Sequence, residues 1–247
     1  MFSRKGIGGT AQRIRLTGAM ICDHVIPMQS SILRPALADP PAQLAHDRVY
    51  RGLRQQVMHG ELFPGTPLTL RGIGKSFGVS MTPAREAVRR LTAEGALTFS
   101  ASGRVATPEL SNERIEELAS IRALLEPELA SRALRRAHLA LIDRMESIND
   151  SNARAIHRQD PVEYIRTNLE FHRTLYLRAQ SPAMLGLLET VWLQLGPTMR
   201  ALYTRLKRTT APPHHRLILE ALRAGDDAAL RLALRTDVTQ GLRHLVV

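Results

Sequence analysis

LRGIGKSFGVSMTPAREAVRRLTAEGAL, residues 70–97, carries the punctuation on which the fold turns. A short helix over about 70–77 gives way to Gly78, Val79 and Ser80, and a second helix is expected from about Thr82 to Glu94. Ser80 is the natural N-cap, because its hydroxyl can accept from the free amides of the first turn. Pro83 suits that turn, where a missing N–H costs little, and Gly95 closes the C-terminal end. Upstream, AHDRVYRGLRQQVMHGEL (45–62) sets Val49, Leu53 and Val57 one turn apart on an amphipathic helix stopped by Gly60. FPGTPLTL (63–70) is a Pro/Gly turn leading into a short extended piece. Downstream, ALTFSASGRVATPEL (96–110) reads as two short strands joined by a Ser-Gly turn. This order of helix, helix-turn-helix and β-hairpin is that of a winged helix-turn-helix.

In such a fold the N-terminal end of the second helix of the pair enters the major groove. Here that end carries Ser80, Thr82 and Arg85. Hydroxyls and amides at a helix N-terminus suit phosphates, and an arginine can make a two-pronged contact to guanine. Arg71 opens the preceding helix, and Arg89 and Arg90 extend the basic surface. Ser102, Gly103 and Arg104 form the tip of the wing, where an arginine can approach the minor groove or its phosphates. The alternative is a merely solvated face, with these arginines balanced by Glu86 and Glu94. The turn, the cap and the hairpin together favour DNA.

Composition sets the bounds around this core. The chain has 247 residues, 44% hydrophobic and 23% charged, with aromatics at 4% and a net charge of +11. Scarce aromatics amid abundant Leu, Ala and Arg lean toward packed helices, and the charge favours a polyanionic partner. The sole cysteine, Cys22, excludes an internal disulfide framework and any cysteine-based zinc site. No apolar run approaches a membrane span, and the N-terminus lacks the apolar core of a signal peptide. A cytoplasmic location is expected. Residues 1–44 lack sustained periodicity and read as a basic, mobile extension.

Beyond Pro108 the pattern is helical. Ile115, Leu118, Ile121, Leu125 and Leu129 trace one stripe. Further helices are expected near 139–158, 161–179, 182–207, 212–223 and 226–245, separated by QDP, QSP, TTAPP and AGDD. In NLEFH (168–172), Asn168 and His172 lie one turn apart, on a face shared with Ile165, Leu169, Leu175, Tyr176 and Ala179. His215 aligns with Ile218, Leu219 and Leu222, while His214 points away. Asp237 shares its face with Leu230, Ala233, Leu234 and His244. Four side chains able to ligate a metal thus face inward from three helices. Pattern alone leaves two readings open: a divalent-metal site, or separate buried hydrogen bonds with no ion.

Two family resemblances follow from these stretches. YRGLRQQVMHGELFPGTPLTLRGIGKSFGVSMTPAREAVRRLTAEGALTFSASGRVATPEL (50–110) resembles the GntR family winged-helix domain, and its G-V-S-x-T-P-x-R-E-A core is specific to it. One departure is Met81, where the family often has Arg. IRALLEPELASRAL (121–134), NLEFHRTLYLRAQSP (168–182) and HHRLILEALRAGDDAALRLALRTD (214–237) resemble FCD, the helical effector domain of the FadR-type subgroup. That resemblance implies a bundle in which an Asp or Asn, a His one turn later and two further His residues hold a metal that helps bind a carboxylate. Asn168, His172 and His215 fall on three of these positions; the fourth, usually His, is Asp237. The family's carboxylate-binding Arg corresponds to Arg122, whose other expected role is pairing with Glu126 one turn away.

The expectation is therefore a mainly α protein. A basic extension (1–44) precedes a winged helix-turn-helix with three helices and a β-hairpin wing (45–109), followed by an all-α effector-binding and dimerisation bundle (110–247). The resemblance implies a metabolite-responsive repressor that binds a palindromic double-stranded DNA operator as a homodimer. It would sense a small carboxylate through a divalent ion: zinc, nickel or manganese. Two rivals stand beside it. Two His and one carboxylate also describe an iron oxygenase triad, although those usually sit on β-barrels and this half shows no strand pattern. A metal-free bundle that binds its ligand through Arg122 and hydrogen bonds is the other.

Overall fold

A computed structural model describes residues 42–99, 104–206 and 214–243. The first helix, α1 (Ala42–Met58), begins three residues earlier than expected. Ala42, Gln43 and Leu44 are strong helix formers with no stop signal before Ala45, so the helix continues back through them. The rest of the expected extension lies outside the described residues. After α1 come β1 (Pro67–Leu68), α2 (Leu70–Phe77), α3 (Met81–Ala93), β2 (Thr98–Phe99) and β3 (Val105–Ala106).

The turn between α2 and α3 is built as the sequence requires. Gly78 takes φ +62°, a left-handed conformation that costs a side chain energy, and its N–H closes the end of α2. Val79 N–H donates to the Gly74 carbonyl (2.9 Å), and a β-carbon on Gly74 would come within 2.8 Å of the Val79 oxygen. The backbone of α2 therefore meets the backbone of the turn that leads into α3. Ser80 occupies the N-cap position of α3, but its side chain makes no cap hydrogen bond. Thr69 caps α2 instead, accepting from Gly72 N–H. The strands form one antiparallel sheet in the order β1-β3-β2, with Pro67 opposite Ala106 and Phe99 opposite Val105. The extended piece before α2 is thus the third strand of the wing's sheet.

The bundle follows as α4 (Asn112–Leu134), α5 (Leu139–His157), α6 (Pro161–Tyr176) with a 3-10 turn at Leu177–Ala179, α7 (Pro182–Leu206), α8 (His214–Ala224) and α9 (Asp227–Arg243). Ser111, His138 and Asp160 cap the first three with side-chain acceptors. Leu129, Met145, Phe171, Leu175, Tyr176, Leu188, Ile218 and Leu230 are buried together in the largest core. Each such side chain contributes roughly 1.5–3 kcal/mol of transfer free energy. A second core joins α1, α2 and α3 through Val49, Leu53, Val57, Ile73, Val88 and Leu91, and Leu193 of α7 is buried within it. One helix of the bundle thus completes the core of the winged-helix unit.

Candidate nucleic-acid interface and metal centre

The exposed end of α3 presents Met81, Thr82 and Arg85 to solvent, with Arg71 exposed at the start of α2. Arg89 lies 3.4 Å from Glu86 on the same exposed face. Arg90 differs from its neighbours. Its guanidinium sits 3.7 Å over the Tyr50 ring, 3.4 Å from Glu94 and 3.7 Å from Asp47, so it packs α3 on α1 while its side chain stays exposed. Arg104 is exposed at the start of β3, whereas Ser102 and Gly103 lie outside the described residues.

In the bundle, His172, His215 and Asp237 come together from α6, α8 and α9. Each offers one ligand atom, and these atoms lie within 4.8 Å of one another. Amphipathic spacing on three helices places them there: each shares a face with leucines or isoleucines of the core. Phe171 stacks on His215 at 4.0 Å between ring centroids, and the two histidine rings meet edge to face at 5.2 Å.

Hydrogen bonds decide where the protons of this cluster sit. Tyr176 O–H donates to Glu126 Oε2 (2.8 Å), so its oxygen is left to accept from His172 Nδ1–H at 3.3 Å. His215 Nδ1–H donates to Asn149 Oδ1 (2.9 Å). When the imidazoles are neutral, these bonds keep the proton on Nδ1 and leave the lone pair on Nε2, the tautomer a metal ligand needs. His172 Nε2 is buried, has no hydrogen-bond partner, and lies 3.2 Å from Asp237 Oδ2 without hydrogen-bond alignment. Burial alone would push the Asp237 carboxyl up. A protonated His172, with His215 and Arg122, outweighs it and holds the group well below the usual carboxylate range, so without an ion the two form a buried ion pair. A lone pair facing an ionised oxygen at that distance is repulsive unless a proton or a metal ion lies between them. The donor set of two imidazoles and a carboxylate fits a divalent metal ion.

Beside the cluster lies a buried polar hub. Glu126, with no exposed surface, accepts from Arg122 Nε–H (2.6 Å), Trp192 Nε1–H (3.1 Å) and Tyr176 O–H. His172 Nδ1 is 4.0 Å from the same carboxylate. Arg122 thus makes the one-turn ion pair expected of it. It also lines a small cavity with Asn168, which is half-buried one turn before His172. His214 points elsewhere, toward Gln240 Oε1 at 2.9 Å, and His244 lies outside the described residues. The sequence reading missed Asn149, Trp192 and the hub role of Glu126. Asn149 lies one turn past Met145 on a helix with a buried face, a weak signal that no spacing rule would single out.

Comparison with known proteins bears on these sites. Residues 45–105 match the family described as bacterial regulatory proteins, gntR family, and residues 117–240 match the FCD domain. The HTH-type transcriptional regulator McbR of Escherichia coli K12 is 26% identical over 201 residues, covering 80% of this chain and 91% of McbR. Its solved structure superposes with a TM-score of 0.73 at 25% identity, covering 81% of this chain and 96% of that one. The gluconate operon transcriptional repressor of Bacillus subtilis 168 is 26% identical, covering 74% of this chain and 77% of that protein. A GntR protein from Rhodococcus sp. RHA1 shares the fold with a TM-score of 0.68 at 20% identity, covering 81% and 97%. The chain belongs to the GntR family of DNA-binding transcription regulators, in the group that carries an FCD domain. It is a regulator and not an enzyme, which sets the oxygenase reading aside. Among the described residues no helix is long and apolar enough to cross a membrane.

Proposed function

We propose that this regulator is a metabolite-responsive repressor that binds a palindromic operator as a homodimer and senses a small carboxylate in its helical bundle. Arg85, with Thr82 and Ser80, reads the major groove; Arg71, Arg89 and Arg104 reach phosphates. His172, His215 and Asp237 hold a divalent ion, with Asn168 as the weakest donor. Bound there, the ion supplies positive charge toward which a carboxylate can be drawn. Arg122 binds that carboxylate with the terminal amino groups that its Nε–Glu126 bond leaves uncommitted. Repression is supported by relatives such as the Bacillus subtilis gluconate operon repressor. Symmetric dimers suit palindromic sites, because each half-site meets one reading helix.

One observation carries the metal assignment: the partnerless His172 Nε2 facing the Asp237 carboxylate at 3.2 Å. A proton on that nitrogen would give a metal-free ion pair instead. Isothermal titration of chelator-treated protein with zinc, nickel and manganese separates the two. Stoichiometric binding that is lost in His215→Ala supports the metal centre. Binding unaffected by that substitution contradicts it.

A further inference from the structure

The cavity beside Arg122 has a volume of about 20 Å³, room for one or two waters. A carboxylate with even a short carbon body needs several times that space, so a wall must yield when one binds. Arg122 is fixed by Glu126, and most of the lining belongs to α6 and α7, packed inside the bundle. Met58 is the exception. It is the last residue of α1, comes from the DNA-binding unit, and is half-buried with an unbranched, adaptable side chain.

On the far side of Met58 lies an open cleft of about 760 Å³. Met58, Leu169 and Trp192 line both spaces, so they form the partition between them. Arg54, Arg166 and Arg173 of its lining are ion-paired to Glu94, Glu163, Glu170 and Glu189, and Arg144 stands exposed among them, a cation that an entering anion can meet. The end of α1 is also seated on α7 with no space to spare. A β-carbon on Gly196 would run into the Val57 carbonyl oxygen and lie 2.9 Å from Met58 Cα. Pro197, inside α7, removes one helical hydrogen bond beside that contact. Val57 and Leu53 of α1 are in turn buried in one core with Val88 and Leu91 of the reading helix α3.

We propose that Met58 is an effector-gating residue: a carboxylate enters through the arginine-lined cleft, displaces Met58, and lifts the end of α1 from Gly196 of α7. The proposal rests on the carboxylate reading above and adds its route and its coupling to DNA. Occupancy of the cavity and the docked position of the reading head exclude each other. Apart from Arg122 and Asn168, the cavity wall is apolar or aromatic. It therefore suits a monocarboxylate with a short uncharged body, since a second charge would be buried without a partner.

Trp192 is the only tryptophan, so its fluorescence reports the partition. The full-length protein is titrated with sodium butyrate and sodium succinate, with amide exchange of residues 42–58 followed in parallel. In wild type, butyrate is expected to shift Trp192 emission saturably and speed exchange in α1, while succinate does so weakly. Met58→Ala is expected to bind butyrate at least about fivefold more tightly, with α1 exchange no longer responding. Butyrate binding and α1 response both unchanged in Met58→Ala would overturn the gate and leave the carboxylate site standing. No butyrate response in wild type or in Met58→Ala would remove the carboxylate reading for this class, and the gate with it. Gly196→Ala tests the seat without any ligand. It is expected to raise α1 exchange and change affinity for a DNA duplex selected from a random pool by tenfold or more, with exchange in α5 and α6 unchanged. Wild-type values for both α1 exchange and DNA affinity would overturn the coupling.

Discussion

At the scale of single residues, His172 shows how one imidazole joins two systems. Its Nδ1 faces the Tyr176–Glu126 pair, which fixes the ring, and its Nε2 faces Asp237. His172→Ala and His215→Ala are each expected to abolish stoichiometric metal, as measured by elemental analysis. Asn168→Ala should reduce affinity far less, because a neutral amide oxygen is the weakest donor. Asp237→His should keep a site but shift its preference toward zinc or nickel, as imidazole replaces carboxylate. The buried Arg122–Glu126 pair carries a different expectation. Arg122→Ala leaves Glu126 charged, buried and short of its main partner, which is expected to cost about 3–5 kcal/mol in denaturant unfolding. Arg122→Lys is therefore the better probe of ligand binding. On the DNA side, Arg85→Ala is expected to weaken operator binding by about 1–3 kcal/mol if Arg85 meets a base, with dimerisation unchanged. Wild-type affinity on the native operator would contradict that role.

At the scale of elements, the helix-turn-helix was legible because each of its stops is local chemistry. Gly78 supplies the left-handed residue, Gly95 ends α3, and the apolar spacing of α1 fixes its buried face. The inward faces of His172, His215 and Asp237 were legible for the same reason, since 3.6-residue periodicity assigns a side without knowledge of the neighbour. What lies across each gap was not legible. That Glu126 gathers Tyr176 and Trp192 from 50 and 66 residues away, and that Asn149 fixes His215, depends on how helices pack. The roles of the reading-helix arginines divided on similar grounds: Arg90 is drawn back by Tyr50 and Asp47 of α1, a contact between elements. Gly74→Val tests the α2–α3 junction, because a side chain there meets the Val79 carbonyl. Melting of the DNA-binding unit should fall while exchange protection in α5 and α6 is retained. Loss of protection throughout would mean that the two units unfold together.

At the scale of the whole molecule, α7 is the shared member. It contributes Trp192 to the Glu126 hub, Leu193 to the core of the DNA-binding unit, and Gln194 Nε2–H to the Glu94 carbonyl at the end of α3 (3.0 Å). The winged-helix unit is thereby tied to the bundle beside the Glu126 hub. A chain begun at Pro41 is expected to keep the thermal midpoint of the full chain, since both cores lie beyond that point. A large drop would assign a structural role to the preceding residues. Native mass spectrometry on protein purified without chelator reads directly whether His172, His215 and Asp237 hold a metal. One divalent ion per chain is expected, absent from His172→Ala while the chain stays folded. Wild-type protein that carries no ion, and takes up none when zinc, nickel or manganese is supplied, would contradict the metal assignment.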